Sequence, residues 1–257
     1  MFSRVRVVSG ACFGLALCCH ASASAAEPAS LRDFLFGPAA KLGADISLPA
    51  VARYESERGE GFVLDRSGGR RAVLKFDDSG ELWALTASPG PRGDVIYRND
   101  VGEAVLRATR LGGLTLFTPD VPAGTAAAPL GAVQSLRPAQ IYGPEALFQV
   151  LLQAEARANR AVQHIIVFDA ADANVSPGSE PLFADAFILT ADAIVHVSGR
   201  GPPGHAAASH VVKVRFVQGP GAAAVLVGRM VQITVAPDMG VAGRPSSERI
   251  AAAIWRH

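Results

Sequence analysis

Cysteine disappears from this chain after residue 19: Cys12, Cys18 and Cys19 are its only thiols. A chain that loses this stretch has no cysteine nucleophile, no thiolate-bound metal or iron–sulfur cluster, and no disulfide framework. Lysine is almost as scarce, with Lys41, Lys75 and Lys213 alone, so arginine carries nearly all the positive charge. Aromatic residues make up 7% of the chain. Beyond the N-terminal segment no apolar run reaches the roughly 18 residues that a bilayer-crossing helix needs, since Phe187-Ile188-Leu189 soon meets Asp192.

The N-terminal segment is read as an export signal. Arg4 and Arg6 form a basic region, Val7 to Leu17 an apolar one, and Ala21 to Ala26 a run of small residues ending in an A-x-A-type cleavage site. The expected product is a periplasmic chain beginning at Ala26 or Glu27. Leu15-Ala16-Leu17-Cys18 partly resembles a lipobox, which makes a lipid anchor the minor alternative, although Leu17 is larger than such a site prefers. Loss of Arg4 and Arg6 leaves 22 basic against 23 acidic side chains. Near-neutrality offers no field for nucleic acid or an anionic membrane.

The remaining residues predict an α+β fold, because strands cluster first, then helices, then strands again. Residues 27–52 read as an N-terminal tether with a short helix stopped by Gly37-Pro38. Residues 53–118 read as an antiparallel meander of six strands: Gly61–Asp65, Ala72–Phe76, Glu81–Ala87, Asp94–Arg98, Ala104–Thr109 and Leu114–Thr118. Turns such as Ser67-Gly68-Gly69 and Asp100-Val101-Gly102 separate them, and connections this short favour antiparallel neighbours. Six strands leave open whether the meander closes into a barrel. Residues 119–142, rich in Ala, Gly and Pro, read as a linker or surface loop.

Residues 143–257 predict a helix pair, a β-hairpin and a short C-terminal helix. Gly143-Pro144-Glu145 opens the first helix, whose apolar stripe is Leu147, Leu151, Ala154, Ala158, Ala161 and Ile165. The second runs from about Pro181 to Ser198. After a Gly199–Gly204 loop, His210–Val217 and Ala224–Val235 form the hairpin around Gly219-Pro220-Gly221. Ser246 to Trp255 forms the last helix, with serine at its N-cap.

Two groups carry candidate chemistry. Asp185, Asp192 and His196 are spaced seven and four along the second helix, which brings them onto one stripe and could present carboxylate and imidazole to a metal, with His205 or His210 completing the set. The plainer reading is a solvated face with an Asp–His pair. In the meander, Asp94, Tyr97, Arg98, Asn99 and Asp100 crowd one strand end and its turn, with Arg107 on the next strand and Arg110 just beyond it. Guanidinium forks and carboxylates so placed could bind an acidic or sugar ligand, or simply form cross-strand ion pairs. Gly199-Arg200-Gly201-Pro202-Pro203-Gly204 spells G-x-G-x-x-G, but it follows a helix, and its prolines remove donors that a phosphate would need. Nucleophile-elbow, P-loop and H-E-x-x-H signatures are absent.

Phe62 to Gly69, Gly93 to Gly102 running through Leu114 to Phe117, and Gly243 to Ile250 resemble an exported alphaproteobacterial family known as a domain of unknown function. The resemblance covers most of the chain and implies a Gram-negative periplasmic location. It carries no activity, cofactor or catalytic residue. The expectation is a non-enzymatic binding or scaffold protein without a cofactor, whose partner is an envelope protein, a glycan or a small ligand. A periplasmic hydrolase, metal-assisted or not, is the alternative, and an outer-membrane lipoprotein assembly factor a further one.

Overall fold

Short alternating strands joined by tight turns dominate the first half of the chain, and in the computed structural model they close on themselves. The structure describes residues 48–69, 71–136, 142–173 and 175–256; the expected signal, its cysteines and most of the tether lie outside them. Eight antiparallel strands, β1 (Val51–Ser56), β2 (Gly61–Asp65), β3 (Arg71–Phe76), β4 (Trp83–Pro89), β5 (Val95–Arg98), β6 (Ala104–Ala108), β7 (Leu114–Thr118) and β8 (Val121–Ala132), pair in sequence order, and β8 returns to β1 to close a barrel. Eight strands give a lumen just wide enough for side chains to fill. Here Tyr54, Phe62, Leu64, Leu74, Leu85, Leu106 and Leu116 fill it, each at most 1% exposed.

Closure corrects two boundaries. Residues 121–132, expected within a linker, form β8, and residues 51–56, split between tether and meander, form β1. In β1 the pattern is present but light, with Ala52, Tyr54 and Ser56 turned inward. In β8 the local signal points the wrong way, and two neighbouring strands override it through the backbone ladder. Pro122 and Gly124 sit where the β7–β8 register slips, and Pro129 borders the irregularity opposite Arg53 and Tyr54. These are the positions where a strand tolerates proline. Gly124 adopts φ +84°, and a Cβ there would come within 2.6 Å of Thr115.

The second half is a four-stranded sheet, ordered β11 (Ala223–Val227), β12 (Met230–Val235), β10 (Lys213–Gln218), β9 (Val167–Asp169), with helices on one face. β10 runs parallel to both β9 and β12, so the hairpin is β11–β12, turned at Gly228, rather than the pair joined by Gly219-Pro220-Gly221. α1 (Pro144–Val162) ends where Gln163 turns left-handed, so Ile165 leaves the expected stripe and is 75% exposed. α2 (Glu180–Ser198) is long and apolar enough to span a bilayer, yet ten of its side chains are buried in this core, which accounts for its composition. The expected Gly199–Gly204 loop instead opens a helix, α3 (Gly201–His210), whose prolines occupy the first turn, where no amide is required. α4 (Ser247–Trp255) closes the chain. The edge of β9 is shielded by α1: Asn159 Oδ1 accepts from Ile166 N (2.7 Å) and Glu155 Oε2 from Phe168 N (2.8 Å).

The lumen contains one orphan, the buried Tyr54 hydroxyl, which has no partner among the described residues. Tyr54→Phe is expected to raise the unfolding free energy by about 1 kcal/mol, because it removes an unsatisfied polar atom without changing shape. Leu106→Ala, at 0% exposure, is expected to cost about 3 kcal/mol, and Leu111→Ala, at 95%, less than about 0.5. Urea unfolding of the three variants tests this, and equal losses at Leu106 and Leu111 would contradict a packed lumen.

Candidate functional site: the barrel mouth beneath the last helix

In an up-and-down barrel alternate turns lie at the same end, so the β1–β2, β3–β4, β5–β6 and β7–β8 turns form one rim. These turns are rich in acid: Glu60, Asp77, Asp78, Glu81, Asp100, Glu103 and Asp120 all belong to them. The start of α4 docks against the rim. Ser246 donates to Asp100 from its backbone N (2.8 Å) and hydroxyl (2.5 Å), and Ser247 donates to Glu81 in the same way (3.1 and 2.5 Å). Ser246 also caps its own helix by accepting from Arg249 N at 3.1 Å. Both carboxylates thus face the partly positive end of a helix dipole. Arg244, almost fully buried, completes the joint by donating to Leu82 O (2.7 Å) and Asp185 (3.1 Å).

Beside this joint opens a cleft of about 960 Å³. Aromatic rings form its apolar wall. From the lumen outward, Tyr54 stacks on Phe62 (5.5 Å), Phe62 tilts against Phe76 (6.0 Å), and Phe76 meets Trp83 edge to face (5.7 Å). Phe76, Trp83 and Phe117 line the cleft itself. Its charges are unbalanced, with six carboxylates, Glu60, Asp77, Asp78, Glu103, Asp120 and Glu248, against Arg58. Asp77 is partly offset by Arg53 at 2.5 Å. Thr118, on the same wall, holds a buried hydroxyl oxygen with no partner among the described residues.

Glu248 is the most perturbed group at this mouth. Burial, then repulsion from Glu103, Glu81 and Asp100, raises its carboxyl from the ordinary 4.5 to about 7, while a hydrogen bond from Asn99 Nδ2 (2.8 Å) holds it in place. Glu81 is also raised, chiefly by burial, against the lowering effect of its Ser247 bonds. Such displaced carboxyls at a cleft are a recurrent mark of binding and catalytic sites.

The residues singled out from sequence are scattered rather than gathered. Asp94 precedes β5 and pairs with Arg107 on β6 (2.7 Å), and Arg110 packs beside Gly93 at the same, opposite end of the barrel. Tyr97 is buried in the lumen, and Arg98 is exposed and donates to Gly102 O (2.9 Å). Only Asn99 and Asp100 reach the mouth, where Asn99 ties Glu248 to the Glu103 backbone and Asp100 holds Ser246. On α2, Asp185 is engaged by Arg244, Asp192 by Arg157 and His196 by Arg200. Each member of that stripe therefore faces an arginine. Among the described residues no group of three His, Cys, Asp or Glu is arranged to hold a metal ion. Sequence reasoning missed Phe76, Trp83, Glu103 and Glu248, which lie in four different elements or turns. The one available signal was the recurrence of acid in alternate turns.

Residues 30–254 match the model of the family described as Domain of unknown function (DUF4908), and the chain belongs to that family. No curated protein and no solved structure matches the chain.

Two predictions test the joint. Asp100→Ala removes two bonds to the start of α4 and is expected to cost about 2 kcal/mol in urea unfolding. Glu248 holds its proton more tightly in the folded chain, so its contribution is neutral below pH 4.5, falls as pH rises from 4.5 to about 7, and is constant above. Glu248→Gln is therefore expected to leave stability unchanged at pH 4 and to raise it by about 1 kcal/mol at pH 8, after allowance for partial solvent screening. A variant equally stable or less stable than the parent at pH 8 would show that Glu248 is not strained in its charged form.

Proposed function

We propose that this member of the family is an exported, non-enzymatic binding protein that takes a small cation-bearing ligand at the mouth of its barrel. The observation that carries this reading is the open cleft of about 960 Å³, walled by Phe76, Trp83 and Phe117 and surrounded by carboxylates, at the end of a barrel whose lumen is already full. Aromatic faces attract organic cations, and nearby carboxylates add charge attraction. A concave, partly apolar site with a few convergent polar groups is the usual form of a ligand pocket. Export is supported by Arg4, Arg6, the apolar Val7–Leu17 run and the small residues before Glu27.

The test is calorimetric titration with n-hexyltrimethylammonium. Binding is expected to quench Trp83 fluorescence in a Trp255→Phe background, to weaken at least about tenfold in Trp83→Ala, and to tighten between about pH 6 and pH 8 as Glu248 ionises. No heat and no quenching at millimolar probe would overturn the cation reading.

One observation favours hydrolysis as a second reading. Glu248 keeps its proton to about pH 7 beside Glu103 in the same cleft, as a general acid must. Turnover of chromogenic glycosides or esters that is lost in both Glu248→Gln and Glu103→Gln, with the fold intact, would replace binding by catalysis.

A further inference from the structure

A second cleft, of about 910 Å³, adjoins the barrel mouth and shares Phe76, Trp83, Glu103, Pro119 and Glu248 with it as a common wall. Its far side carries both of its arginines. There α2, the turn that follows it and the end of α4 bring together His196, Arg200, Trp255 and Arg256. On this side Asp192 pairs with Arg157, and both oxygens of Glu81 accept hydrogen bonds from Ser247. Arg200 directs Nε and Nη2 at His196 Nε2 (3.1 and 2.7 Å), which makes that imidazole nitrogen an acceptor and leaves the guanidinium charge unneutralised. Neither Arg200 nor Arg256 pairs with a carboxylate among the described residues.

Arginines at helix C-termini have an ordinary use, because they offset the negative end of the dipole, and Arg200 and Arg256 both follow such ends. That use does not account for Trp255. The residue lines this cleft, and its buried indole N–H has no acceptor among the described residues. A buried donor without a partner is destabilising, and an oxygen that reached it would satisfy it. The groove thus has an acidic, aromatic end and a cationic end with a spare donor, joined along the Phe76–Trp83 wall.

We infer that the ligand is a zwitterion whose cationic group lies in the barrel mouth and whose carboxylate or phosphate reaches the adjoining cleft beside Arg200, Trp255 and Arg256. This rests on the reading of the mouth as the cation site. The acidic group would accept the indole N–H and oppose the two guanidinium groups, and the connecting chain would lie over Phe76 and Trp83.

The experiment compares three probes by calorimetry on the chain lacking its first 26 residues, at low salt and pH 8: n-hexyltrimethylammonium, 6-(trimethylammonio)hexanoate and 6-(trimethylammonio)hexyl phosphate. At least one zwitterion is expected to bind about tenfold more tightly than the simple cation, and whichever gains more identifies carboxylate or phosphate as the preferred group. Arg200→Gln/Arg256→Gln, both exposed positions, is expected to abolish that gain without weakening the simple cation's binding. Trp255→Phe, which keeps an aromatic ring and removes the N–H, is expected to reduce the gain several-fold. If the cation binds but neither zwitterion binds more tightly, or if the gain survives the double arginine variant, the inference is overturned and the mouth reading stands. If no probe binds, both are overturned.

Discussion

Two carboxylates on barrel turns, Glu81 and Asp100, hold the first turn of α4, and the rest of the molecule is arranged around that joint. A helix start exposes amides that its own backbone cannot satisfy, and here acids on another element satisfy those of Ser246 and Ser247. The arrangement uses the positive end of the helix to hold negative charge at the rim. It also brings Glu248 to the edge of the mouth, where three further carboxylates surround it. A rim assembled to dock a helix therefore becomes a place where negative charge is crowded.

The barrel contributes by being full. With Tyr54, Phe62 and the leucines packed to near-zero exposure, side chains fill the lumen, and the cleft opens at the end of the barrel instead. The aromatic series from Tyr54 to Trp83 then has two uses. Its inner members pack the core, and its outer members, Phe76 and Trp83, form the wall common to both clefts. The rigidity of the inner rings fixes the position of the outer ones, so the site is built on strands rather than on loops alone.

Membership of a family described as a domain of unknown function leaves the chemistry of this groove as the guide to its activity. Arg157 of α1 and Arg244, just before α4, have structural partners: Arg157 meets Asp192, and Arg244 joins Asp185 to the rim. Arg200 and Arg256 differ because no described carboxylate answers them, and they border the cleft that contains the Trp255 donor. The contrast between engaged and unengaged arginines is what gives the groove a polarity.

Sequence alone determined part of the element order: the strands β2 to β7 with their tight turns, helices begun by Pro144 and capped by Ser246, and an apolar core helix at residues 180–198 follow from local periodicity and turn chemistry. The elements β8, β9 and α3 were not legible there. Closure of the barrel was decided by tertiary structure. In β8 the Ala, Gly and Pro residues carry no strand signal, and the hydrogen-bonding edges of β1 and β7 impose one. The parallel pairing of β10 and β12 depends on a chain crossing that no local pattern encodes. The mouth was hidden for the same reason: Phe76, Trp83, Glu103 and Glu248 are far apart along the chain. Only the shared end of an up-and-down barrel and the docking of a helix start on acidic turns bring them within reach of one ligand.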